Sequence, residues 1–410
     1  MATVWFAQST AGNIDDANKW KNLPSTGLAL TWANLANGDE LNLNGKTGIA
    51  LNVDIDAGAG TSVTVSTILS GTGAAGGTLV ATTDRTVRGN ITAGTTTPIT
   101  TATSAKRLTV IGNVTGGATS IPGIALSSGH SLTLTGNVTG GVGATTAYGV
   151  YCNCTTAQGG STVITGTVSG GSGAATSKGV YNANTRAITF GSGSTIQGGN
   201  GAATSFGFHN ASSGAFTVES GSTIQGGDGA ATARGISNDS TGAGTITATI
   251  TGGSTAISNY AIYNASTGAL TITGNITGGS FAGMVGAIVS TSTAAITVTG
   301  DLSSGSAALT PAIYNSSTGV VTITGNIIHT IAGGNAVTGN IRWTPTAAQS
   351  QQRPYDATHY YYSSKTIPKA DVKLGVDGNG AGAPETGTLV AGAGGGGSLV
   401  GNSVLVSAGG

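Results

Sequence analysis

A unit of 25 to 30 residues recurs between Arg85 and Trp343, and this repetition leaves few folds open to the chain. It is followed most easily from an apolar anchor that succeeds a small residue: Ile124, Val150, Val180, Phe208, Ile236, Ile262, Ile288 and Ile313. A second apolar position follows each anchor, at Leu132, Val163, Ile188, Phe216, Ile246, Leu270, Ile296 and Val321. The clearest copy starts at Ala261-Ile262-Tyr263-Asn264 and continues through Leu270-Thr271-Ile272-Thr273-Gly274; it recurs almost unchanged from Ala312 to Asn326. Inside the unit the period is two. Leu270 and Ile272 point one way, Thr271 and Thr273 the other, as in a strand with one buried face. Such short strands cannot bury their apolar side alone, so the units must stack. Stacking at the interstrand spacing of ~4.8 Å predicts parallel sheets, three of them, around one narrow core.

Composition supports this reading. Glycine accounts for 72 of 410 residues and charged residues for only 7%. Disordered chains are usually rich in charge and poor in β-branched residues, whereas here Thr, Val and Ile fill the stretches between glycines, as half-buried strands require. With 15 basic and 15 acidic residues the net charge is zero. That weighs against a nucleic-acid partner, which needs a basic footprint, and against anionic membranes. No apolar run approaches the ~20 residues of a membrane-spanning helix. Met1 to Gln8 lacks the basic start and apolar core of a signal peptide, so synthesis in the cytoplasm without an ordinary cleavable signal is expected.

Two places after the anchors stand Asn182, Asn210, Asn238, Asn264 and Asn315, with Ser290 at the equivalent place between the last two. Alternation turns this position inward or into a turn, where stacked amides can hydrogen-bond along the column and to turn backbone. An asparagine ladder is expected, as a structural device. The outward neighbours of the anchors include Tyr151, Tyr181, His209, Tyr263 and Tyr314, a partial aromatic stripe that can meet sugar rings or a partner chain.

Catalytic chemistry finds little support. From Leu108 to Trp343 the acids are Glu219, Asp228, Asp239 and Asp301, in different parts of their units, so no carboxylate pair is placed on one face. Lys178, Arg186 and Arg234 read as isolated cations. His130, His209, His329 and His359 share no metal-ligand spacing, and Cys152 and Cys154 have no second pair to complete a metal site. The glycine strings lack the following helix of a phosphate cradle. No catalytic, metal or cofactor residue is assigned, and no cofactor is expected.

The unit length, the Asn column and the Gly-Asn-Ile/Val-Thr-Gly turns at 112–116, 136–140 and 274–278 resemble those of the single-stranded right-handed parallel β-helices of pectate-lyase-like architecture. The resemblance implies an all-β right-handed parallel β-helix of about 9–10 coils over 61–345. Positions 1–60, with Trp5, Trp20 and Trp32, read as an N-terminal cap or attachment segment, since an uncapped first coil exposes apolar cross-section and strand edges. Positions 346–410 read as a C-terminal β segment for attachment or oligomerisation. There Pro368-Lys369-Ala370-Asp371-Val372 with Gly375-Val376, followed by Thr386-Gly387-Thr388-Leu389, resembles a short module of tailed-phage structural proteins.

These observations lead to the expectation of a tailed-phage structural component: a tail fibre, spike or capsid-surface decoration, made in the host cytoplasm and carried in the virion. Its expected partners are other virion proteins, further copies of itself (a trimer by preference) and a host surface glycan. The alternative is an adhesin or extracellular-matrix β-helix at the bacterial cell surface. Outward threonine pairs such as Thr271/Thr273 also raise an ice-binding solenoid, although Gly191 and Glu219 interrupt one threonine column.

Overall fold

The computed structural model describes most of residues 84–328, with short breaks, and separate strands on either side of that stretch. Positions 345–410, and with them the C-terminal segment, lie outside the described residues, as does most of 1–60.

The chain coils into a parallel β-helix with three walls. The first wall is a 12-stranded sheet running from Ile49–Leu51 to Val337–Thr338. The other two walls share one 22-stranded sheet, because Arg85–Thr92, Phe216–Gln225 and Gly244–Thr251 each continue from the second wall into the third. Pairing within both sheets is parallel except where Val4–Ala7 meets Trp20–Lys21; Val4–Ala7 also pairs in parallel with Glu40–Asn42. Twelve strands at ~4.8 Å make the first wall about 50 Å long.

The eight anchors from Ile124 to Ile313 lie directly over one another on this wall, and all are fully buried. The inward side chains of the three walls form one continuous apolar cluster along the axis.

The second apolar column departs from the sequence reading at two places. Thr162, not Val163, pairs with Ile188 and is fully buried, while Val163 pairs with Thr133 and Thr189 on the outward side. Gly244, not Ile246, pairs with Phe216; Ile246 belongs to the next inward column, with Val218 and Ile272. Apolar content alone does not fix register, and a one-residue slip exchanges the faces. Packing decides the second case. A Cβ on Gly244 would lie 2.3 Å from Cζ of Phe216, so the ring of one coil fills the space left empty on the next. Phe208 stands between Phe190 and Phe216, with both centroid separations 5.0 Å and steeply inclined ring planes.

Between the second and third walls most coils turn through a glycine at positive φ, from 72° at Gly193 to 147° at Gly325. At Gly136 a Cβ would come within 2.1 Å of the Gly112 carbonyl oxygen, so the corner admits no side chain. The residues after these glycines form an exposed ladder that the sequence reading treated only as a turn motif. The backbone N–H of Asn113 donates to Oδ1 of Asn90 (3.1 Å), that of Asn137 to Asn113 (3.0 Å), and that of Thr167 to Asn137 (2.9 Å). The same contact recurs from Asp301 to Asn275 and from Asn326 to Asp301.

Candidate functional site

The inward asparagines serve the fold. Asn182, Asn210, Asn238 and Asn264 stack in register, and each of the first three donates its amide to Oδ1 of the next, at 2.8, 3.0 and 3.0 Å. Asn210, Asn238 and Asn315 also donate to the carbonyl four residues ahead, at Gly214, Gly242 and Gly319, which closes the turn after the strand. Ser290 interrupts the column, and its buried hydroxyl has no partner. Upstream the column continues with Cys152, buried in the apolar core. Cys154 lies outside the described residues.

The outward face of the first wall is chemically richer. Tyr151, Tyr181, His209, Ser237, Tyr263, Val289 and Tyr314 form one column in register. Tyr151 and Tyr181 are stacked with centroids 5.5 Å apart, and His209 lies 5.0 Å beyond Tyr181. Tyr314, at the far end, is 45% exposed.

A second outward column, three residues upstream, escaped the sequence reading: Tyr148, Lys178, Phe206, Arg234 and Tyr260. Both columns face outward because the small residue between them, such as Gly149 or Gly179, drops out of the pairing register, so a three-residue separation behaves like an even one. The signal was present in the sequence as a large residue three places before each stripe position, but strict alternation conceals it.

The two columns interlock. The Lys178 ammonium lies 3.8 Å from the Tyr181 ring centroid, 5.3 Å from Tyr148 and 5.9 Å from Phe206. Arg234 lies between Phe206 (5.0 Å) and Tyr263 (3.7 Å) and donates from Nη1 to Ser237 Oγ. These cations are therefore members of one cluster, not isolated charges. Asp239, two residues past the stripe, stands 2.6 Å from His209 Nε2 and also accepts from Ser237.

Burial dominates the electrostatics. It lowers Lys178 to about 8, partly offset by Asp239. It also lowers His209 and Arg234 and raises Tyr148, Tyr181 and Tyr260. For Asp239 burial pushes upward, but the hydrogen bond and charge of His209, with Arg234 and Ser237, outweigh it and hold the carboxyl below its usual range. An ionised Asp239 only accepts hydrogen bonds, so His209 carries its proton on Nε2 and its Nδ1 offers a lone pair. That Nδ1 and the Arg234 Nε are buried without protein partners.

The remaining acids lie elsewhere. Glu219 accepts from the backbone of Ser192 in the second wall, Asp228 from that of Ser254 in a loop, and Asp301 belongs to the corner ladder. Among the described residues no group of three or more His, Cys, Asp or Glu could hold a metal. On the second wall Thr245, Thr271, Thr297 and Thr322 align, as do Thr247, Thr273, Thr299 and Thr324, giving four uninterrupted rungs of paired threonines.

Architecture and site together define a parallel β-helix with an aromatic and cationic lateral face. Comparison with protein-family models, curated proteins and solved structures finds no match to this chain.

Proposed function

We propose that the protein is a rigid structural rod of a tailed-phage particle, a tail fibre, spike or capsid-surface decoration, which meets a host surface glycan along its first wall. The carrying observation is the two-column face from Tyr148 to Tyr314, where rings and cations are held by a stack of paired strands. Aromatic and polar groups fixed on regular strands need little ordering to bind, which favours recognition of an extended, repetitive ligand. Asp239, the single carboxylate on this face among the described residues, is already committed to His209 and Ser237, which supports binding rather than glycoside hydrolysis by a carboxylate pair. The C-terminal likeness to a phage module supports the particle assignment. Mass spectrometry of purified particles tests it: the chain should be recovered at structural stoichiometry. Absence from particles, with exposure on intact bacterial cells, would favour the adhesin instead.

The aligned threonines of the second wall favour one further reading, adsorption to ice. Thermal hysteresis above that of buffer would support it, and a flat response would dispose of it.

A further inference from the structure

We propose that the asparagines at the corner between the second and third walls, Asn90, Asn113, Asn137 and Asn275, are acceptors for N-linked glycosylation. This corner lies on a different edge of the coil from the first wall, so nothing here depends on glycan recognition by that wall.

Each of these residues opens an Asn-x-Thr triplet, the pattern of an N-glycosylation acceptor: Asn90-Ile91-Thr92, Asn113-Val114-Thr115, Asn137-Val138-Thr139 and Asn275-Ile276-Thr277. The triplet alone does not discriminate. Asn210-Ala211-Ser212, Asn238-Asp239-Ser240, Asn264-Ala265-Ser266 and Asn315-Ser316-Ser317 satisfy the pattern as well. The structure separates the two sets.

Access separates them first. The middle residues Ile91, Val114, Val138 and Ile276 are buried in the core, so alternation turns the Asn and Thr on either side of each outward. All the corner asparagines are exposed, as are Thr115 and Thr139. The inward asparagines of the other set are at most 3% exposed.

Amide chemistry separates them second. An asparagine amide carries one carbonyl oxygen and two N–H bonds, and glycosylation replaces one of those N–H bonds. The inward residues need theirs. Asn238 Nδ2 donates to both Asn264 Oδ1 and the Gly242 carbonyl, and Asn210 Nδ2 to both Asn238 Oδ1 and the Gly214 carbonyl. The corner residues work from the other end of the amide: each holds the next coil by accepting a backbone N–H on Oδ1. A sugar on Nδ2 leaves that oxygen, and the ladder, in place.

The co-substrate is a glycosyl phosphate, carried on a nucleotide or a lipid and presented by a transferase. Nδ2 bonds to the anomeric carbon as the bond from that carbon to the phosphate oxygen breaks. The amide gives one proton to the transferase, and the phosphate leaves with its carrier. Attachment points on neighbouring coils lie only ~4.8 Å apart, so glycans crowd along Asn90, Asn113 and Asn137. Asn275 has Thr249 and Asp301 at the adjacent rungs and is the least hindered site.

The test uses the full chain in two arms. The folded protein is incubated with UDP-glucose and a soluble asparagine glucosyltransferase, and the chain is separately expressed through a eukaryotic secretory pathway. Peptide mapping by mass spectrometry then locates the sugar. Modification should fall on the corner triplets, Asn275 foremost, and spare Asn210, Asn238, Asn264 and Asn315. Success in the first arm supports a nucleotide-linked donor, and success in the second a lipid-linked one. Thr277→Val should abolish occupancy of Asn275 and Thr277→Ser should keep it, with Asn275 and its ladder contact present in both. The glycosylated chain should melt no lower than the unmodified one. Corner asparagines bare in both arms, sugar on the inward column of the folded chain, or a lower melting temperature after modification would overturn the proposal. Recovery from particles tests the rod separately.

Discussion

Arg234 places its guanidinium carbon 3.7 Å from the ring centroid of Tyr263, on the next coil, while its Nη1 donates to Ser237 on its own strand. The ring contact ties adjacent rungs through outward side chains, while the hydrogen bond to Ser237 fixes the guanidinium on its own strand. A partly buried cation over a ring is worth about 0.5–2 kcal/mol. A double-mutant cycle of Arg234→Met and Tyr263→Leu, followed by chemical denaturation, should return a coupling energy in that range. Strict additivity would show that the contact contributes nothing.

The asparagine ladder should respond oppositely to two substitutions. Asn238→Ala removes the acceptor of Asn210 and the donor to both Asn264 and the Gly242 carbonyl, and should cost about 3 kcal/mol. Ser290→Asn extends the column where an unpartnered hydroxyl now stands, and should stabilise by about 1 kcal/mol. Urea midpoints decide both.

Gly244 occupies a column filled elsewhere by Leu132, Thr162, Ile188, Phe216, Leu270 and Ile296, so a consensus argument would replace it with leucine. The Phe216 ring already fills that space, and Gly244→Leu should destabilise by about 1–3 kcal/mol. The pair Phe216→Leu with Gly244→Leu should recover part of the loss, as thermal melts would show.

Stability should rise with pH between about 8 and 10. Burial lowers Lys178 in the folded chain to about 8 from 10.5, so in this window the unfolded chain binds more protons. Above 10 the raised Tyr148 and Tyr181 reverse the trend, because the unfolded tyrosines ionise first. Lys178→Met should flatten the rise. On the acid side, the lowered His209 and Asp239 both make the unfolded chain the stronger proton binder. Stability should therefore fall as pH drops through 6.5 and again through 3.8, and His209→Gln should remove the first step.

Several elements were legible in the sequence. The anchors and the inward asparagines lie where period-two alternation and repeat spacing placed them, because a side chain's choice of wall face is local. The second apolar column was legible only in part: Val163 and Ile246 are as apolar as its true members, and nothing local distinguishes Thr162 or Gly244. The outward face was half legible. Tyr151, Tyr181, His209, Tyr263 and Tyr314 followed from the anchors, whereas Tyr148, Lys178, Phe206, Arg234 and Tyr260 lie beyond a small residue that breaks the alternation.

The sequence by itself determined that the chain is a stack of short strands, which anchors line the first wall of its core, and that polar amides run through it, since repeat length and alternation are properties of each coil. Only the tertiary structure decided which residues meet between coils. Lys178 over Tyr181, Arg234 over Tyr263 and His209 against Asp239 depend on register between strands joined by loops of unequal length. That register is set by how each coil packs on the next, as the Phe216 ring over Gly244 shows.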